Sequence, residues 1–139
     1  MSQQLQLSGI NKSEIHNFTN REKIPVQFSS ENLPSNIPSN ISICTFRVIQ
    51  EGLRNIAKHS ETQQAWVKIR CNSNTLMFAI RDDGKGFDYD KEKRNVGLGL
   101  ASMQERMRLV GGTISIFSLP GKGCMIEAKI VLPDDKNVS

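Results

Sequence analysis

The stretch from residue 65 to residue 82 restricts the fold more than any other part of the chain. Ala65, Val67 and Ile69 alternate with Trp66, Lys68 and Arg70, Asn72-Ser73-Asn74 supplies turn chemistry, and Leu76, Phe78 and Ile80 then alternate with Met77, Ala79 and Arg81. Successive side chains of a strand point to opposite faces, so this pattern predicts an antiparallel hairpin with one buried and one wet face. A second hairpin is predicted later: a strand from Thr113 to Ser118, a turn at Pro120-Gly121-Lys122-Gly123, and a last strand whose inward face is Ile126, Ala128, Ile130 and Leu132. Two such hairpins exclude an all-parallel βαβ sheet. Pro25 to Ser29 adds a short strand with proline at its first position, where a missing N–H is tolerated.

Helical patterns lie between these strands. From Ser39 or Asn40, both with cap-forming side chains, to about Ser60, the residues Phe46, Ile49, Leu53, Ile56 and Ala57 share one face. A second helix carries Leu100, Met103, Met107 and Val110 on one face and stops at Gly111-Gly112. The order strand, helix, hairpin, glycine-rich loop, helix, hairpin predicts an α/β (α+β) two-layer sandwich. Its mixed, mostly antiparallel sheet would have about five strands, with about three helices on one face. Residues 1–22 are expected to be a tail or the end of a preceding helical element, 23–133 the domain, and 134–139 a C-terminal tail.

Composition narrows the function classes. At 139 residues the chain is long enough for one domain with its own core. Its formal charge of +4 is spread along the chain, and aromatic residues are only 6%, too few for base-stacking platforms, so nucleic-acid binding is not expected. Lys91-Glu92-Lys93-Arg94 mixes signs and reads as a solvated loop face. No apolar run approaches the roughly 20 residues of a membrane span, and the start MSQQLQLSGI has no signal-peptide pattern. Cys44, Cys71 and Cys124 form no CxxC pair, which fits a reducing, cytoplasmic setting and no membrane contact.

Three groups of residues carry chemistry. Glu51, Asn55 and Lys58, at i, i+4 and i+7, form a stripe expected roughly opposite the apolar one. They read either as ordinary solvent decoration or as a platform for magnesium and phosphate: Asn offers a neutral hard oxygen, Glu a carboxylate, and Lys a point charge. Asp82-Asp83-Gly84-Lys85-Gly86 follows a strand directly, so it reads as a tight turn or as a carboxylate fixed beside a flat ligand that the glycines let approach. Gly97-Leu98-Gly99 opens the second helix, where free N–H groups suit phosphate or simply begin a helix. The spacings match neither GxGxxG nor GxxxxGK[ST], which argues against Rossmann and Walker sites.

Taken in order, Glu51-x-x-x-Asn55-x-x-Lys58-His59, Asp82-x-Gly84-x-Gly86, Gly97-x-Gly99-x-x-x-Met103 and Gly121-x-Gly123 resemble the N, G1, G2 and terminal glycine boxes of the GHKL (Bergerat-fold) ATP-binding domains. The text FRVIQEGLRNIAKHS and GLGLASMQERMRLVGG is most similar to the catalytic domain of sensor histidine kinases of the nitrate-sensor/desaturase-thermosensor subgroup. That resemblance implies that Asp82 receives the adenine amino group, with Gly84 and Gly86 lining the base. Asn55 and Glu51 would hold Mg2+, Glu51 serving also as a base, and Lys58 and His59 would contact phosphate. Phe87 to Val96 would form a lid, Gly97, Leu98 and Gly99 would meet the phosphate tail, and Met103 and Cys124 would complete the ATP site. Relatives usually carry Thr where this chain has Cys124, a weaker hydrogen-bond partner. The implied partners are a helical dimerisation and phosphoacceptor domain, a response regulator, and a second copy of the parent kinase. The stretch before Phe28 is too short for that acceptor domain, and His16 reads as a tail residue rather than an acceptor. The alternative on the same fold is an anti-sigma serine-kinase switch protein.

Overall fold

The structure, a computed structural model, describes residues 16–60, 62, 64–85, 100–118 and 121–133. Five strands form one sheet: β1 (Val26–Glu31), β2 (Ala65–Asn72), β3 (Thr75–Asp82), β4 (Thr113–Ser118) and β5 (Cys124–Val131), in the order β1-β2-β3-β5-β4. Both predicted hairpins form, with Asn72 opposite Thr75 in one and Ser118 opposite Cys124 in the other. β1 alone pairs in parallel, from Val26 opposite Ala65 to Glu31 opposite Arg70, so the sheet is mixed and mostly antiparallel as expected.

Residues 16–22 form helix α1, α2 spans Ser39–Asn55, and α3 spans Leu100–Leu109. The helices cover the sheet face made by Ala65, Val67, Ile69, Leu76, Phe78, Ile80, Ile126, Ala128 and Ile130, all buried, while Lys68, Arg70, Arg81, Glu127 and Lys129 on the opposite face are exposed. Gly52 is the point where α2 comes closest to the sheet: a Cβ there would lie 3.1 Å from Ile80 Cδ1 and 3.5 Å from Ile126 Cδ1.

Helix α2 departs from the sequence expectation in two ways. It starts behind Pro38, whose carbonyl accepts the N–H groups of Ile41 and Ser42, and no side chain caps it. Its inward stripe is Ile41, Ser42, Cys44, Thr45, Val48, Ile49, Gly52 and Leu53, whereas Phe46 is only half-buried. Small and weakly polar residues take the face against the sheet because close approach at Gly52 leaves little room for a large ring. At its C-terminal end the helix widens into a π-helical turn, Ile56–Ser60. Helix α3 buries Leu100, Met103 and Met107 and ends where Gly111, at φ +73°, and Gly112 donate to the carbonyls of Arg108 and Met107. In α1, Phe18 is 2% exposed and belongs to the core, so this helix packs on the domain.

Candidate nucleotide site

The strand alternation that buries Leu76, Phe78 and Ile80 continues for one more step, which carries Asp82 inside at 3% exposure. It is a carboxylate at the end of the middle strand, flanked in register by Ala65 on β2 and Cys124 on β5, with Ser118 of β4 next in the row. Its Oδ1 accepts the Gly84 N–H at 2.8 Å, an Asx-type turn that lets the chain reverse immediately after the strand.

Two neighbouring segments hold this loop. Gly123 has φ +79°, and a Cβ on it would come within 2.3 Å of the Asp82 carbonyl oxygen, so only glycine allows the β4–β5 turn to lie against Asp82. Within the same turn Gly121 donates its N–H to the Lys85 carbonyl, and the Ser118 hydroxyl donates to the Gly123 carbonyl at 3.1 Å. On the other side, buried Thr62 sits 2.6 Å from Asp83 Oδ1 and accepts the Asp83 N–H through its hydroxyl. Thr62 was not singled out from the sequence: its partner lies 21 positions away, and a lone Thr in a polar loop carries no local signal.

Cys124, beside Asp82, has its thiol pushed up to about 11, first by burial and then by the Asp82 charge, against a smaller opposing hydrogen bond with Ser118. It is therefore a neutral thiol at physiological pH, able to pack and to bond weakly.

The Glu51 and Asn55 side chains do not lie opposite the buried stripe. At about 100° per residue they straddle the direction of buried Cys44, each roughly 20° from it, and both are half-buried. They stand on the flank of α2 that faces α3, where the Cys44 thiol lies 3.4 Å from the Arg106 carbonyl and 3.7 Å from Met107 Sδ. Lys58, on the π-helical turn, is exposed at the rim of a cavity of about 260 Å³ between α1 and α2, lined also by Phe18, Arg21 and Arg54. Asp82 and Cys124 line a different cavity, at the ends of β3, β4 and β5. Met103, at 0% exposure, is a core residue. Gly86, Phe87, Gly97, Leu98, Gly99, the expected lid and the His59 side chain lie outside the described residues. Among the described residues no cluster of three or more His, Cys, Asp or Glu side chains is arranged to hold a metal, and no helix is long and apolar enough to cross a membrane.

Comparison with known proteins places this geometry. Residues 42–135 match the family described as histidine kinase-, DNA gyrase B-, and HSP90-like ATPase. The chain is 35% identical over 117 residues to the signal transduction histidine-protein kinase/phosphatase DegS of Bacillus subtilis (strain 168), covering 83% of this chain and 30% of that protein. It is 34% identical over 119 residues to the sensor protein VraS of Staphylococcus epidermidis, covering 86% of this chain and 34% of that one. The chain thus spans about a third of the length of the curated relatives it matches. Among solved structures, the blue-light activated histidine kinase of Erythrobacter litoralis EL346 superposes with a TM-score of 0.71 at 18% identity, over 91% of this chain and 42% of that one. The histidine kinase AdeS of Acinetobacter baumannii gives the same TM-score at 16% identity, over 96% of this chain and 66% of that one, so these two show the shared fold. With the family match extending from α2 through β5, the chain belongs to the histidine kinase-, DNA gyrase B-, and HSP90-like ATPase family.

Proposed function

We propose that this domain is the catalytic, ATP-binding part of a sensor histidine kinase, which donates the γ-phosphoryl group of ATP to a histidine on a separate helical dimerisation domain. That histidine would in turn supply a response regulator in two-component signalling, with the domain on the cytoplasmic side of a dimeric parent kinase. The observation that carries the reading is Asp82: a carboxylate buried at a strand end, turned by Gly84 and approached by Gly123, suits the exocyclic amine of adenine. The half-buried Asn55 and Glu51, both oxygen donors on one flank of α2, fit the preference of Mg2+ for hard ligands. When bound, the ion would offset phosphate charge. Phosphoryl transfer needs mainly positioning and charge neutralisation, so Lys58 and His59 are assigned to phosphate and Glu51 to the metal or to the base role. Gly84 and Gly86 are assigned to the adenine wall, and Gly97, Leu98 and Gly99 to the phosphate tail beneath a lid beginning at Phe87. Met103 and Cys124 are assigned to the remainder of the ATP site.

Calorimetry with Mg·ATP tests the adenine assignment. The parent should bind in the micromolar range and Asp82→Asn should lose binding while keeping its far-UV spectrum; equal binding by the two would refute it. Adding an acceptor domain with labelled ATP tests the reaction. Acid-labile label is expected for phosphohistidine, whereas acid-stable label would instead support the serine-kinase reading.

A further inference from the structure

The sheet face turned away from the helices carries a row of side chains that nucleotide binding does not use. Trp66 lies opposite Arg81, Arg81 opposite Met125, and Met125 opposite Phe117, so strands β2, β3, β5 and β4 each contribute one side chain to the row. The Arg81 guanidinium lies 4.0 Å from the centre of the Trp66 ring, and no carboxylate among the described residues pairs with it. Stacking fixes the guanidinium plane while leaving its N–H fork available in that plane. Phe117 is 53% exposed and stands beside the half-buried Met125. The cavity of about 270 Å³ that Asp82 and Cys124 line at the strand ends is walled on this side by Phe117, Met125, Arg81 and Lys122. At that size it suits one bulky side chain.

Charge on this face points to one kind of occupant. Lys68, Arg70, Arg81, Lys122 and Lys129 stand against Glu31, Asp83 and Glu127. Of these acids, Glu31 is 3.5 Å from Lys68 and Asp83 is engaged by Thr62, so the surface is net positive around its apolar row. A second copy of this chain, itself at +4, is disfavoured by like charge, and nucleic acid offers no apolar side chain for the cavity. We propose that the open sheet face docks a protein segment in which a carboxylate stands beside an aromatic or aliphatic side chain. The carboxylate bonds the Arg81 fork, and the apolar group enters the cavity between Phe117 and Met125. Trp, Arg, Phe and Met are the residues enriched at interface centres.

Trp66 is the single tryptophan of the chain, so its emission reports directly on this surface. The full chain is titrated with a capped Asp-Phe-Asp-Leu-Asp peptide, and with Lys-Phe-Lys-Leu-Lys as control. The acidic peptide should give a saturable change that weakens with added salt, and the basic one none. Arg81→Gln and Phe117→Ser, both at exposed positions, should each raise the dissociation constant at least about tenfold with an unchanged far-UV spectrum. The proposal is overturned by an equal response to the basic peptide, by no saturable response, or by unaltered affinity in both variants. It is equally overturned if sedimentation shows self-association that Phe117→Ser abolishes, since the face would then be a contact between copies.

Discussion

Gly121 and Gly123 share nearly the same backbone angle, φ +78° and +79°, yet their surroundings differ. A side chain at Gly121 would meet nothing within 4 Å, whereas one at Gly123 would strike the Asp82 backbone. Gly121→Ala should therefore cost about 1–2 kcal/mol, the price of the left-handed conformation alone. Gly123→Ala should cost clearly more and displace Asp82; urea unfolding of the two variants measures the difference. Asp82 itself was legible in the sequence, because the parity of Leu76, Phe78 and Ile80 already assigns it to the inside. The collision at Gly123 was not, since it depends on a turn some forty positions away. Cys124 yields a pH prediction. Its pKa is raised, so burial of the neutral thiol favours the folded state below the ordinary value near 9, and that contribution is lost as pH rises through about 11. Between pH 9 and 11 the parent should lose stability more steeply than Cys124→Ser, which does not titrate there, as followed by urea midpoints.

Among the elements, α2 shows where periodicity misleads. Phe46 looks like a core residue in the sequence, but the helix turns Thr45 inward to 0% exposure and Ser42 to 6%. Hydrophobicity alone cannot find an inward stripe built partly from hydroxyls, because the signal it uses is absent there. Among the described residues the Ser42 and Thr45 hydroxyl oxygens are buried without a hydrogen-bond partner, a net cost to the fold. Thr45→Val keeps the shape and removes the orphaned hydroxyl, so it should stabilise the domain by about 1 kcal/mol in chemical denaturation, leaving the helix content unchanged. The hairpins, by contrast, were readable to within a residue or two. Each is a local pattern with its own turn, and the partner strand is the next one along the chain.

For the whole molecule, the decisive join is non-local. β1 reaches β2 only through the α2 crossover, and its parallel register with Ala65 to Arg70 could not be read from alternation in a six-residue strand. It lies at the sheet edge with mostly exposed side chains, while β3 is paired on both sides. Native-state hydrogen exchange should therefore find β1 amides opening at lower free energy than those of β3. If β1 is as protected as β3, the crossover is part of the most stable unit. The middle strand has a second consequence for the molecule. Arg81 and Asp82 are joined by one peptide unit yet look out from opposite sides of the sheet, one over an indole and the other into the interior. The two sides of the sheet are thus tethered by a single amide plane, and a tilt of that plane repositions both side chains at once, with no hinge in between.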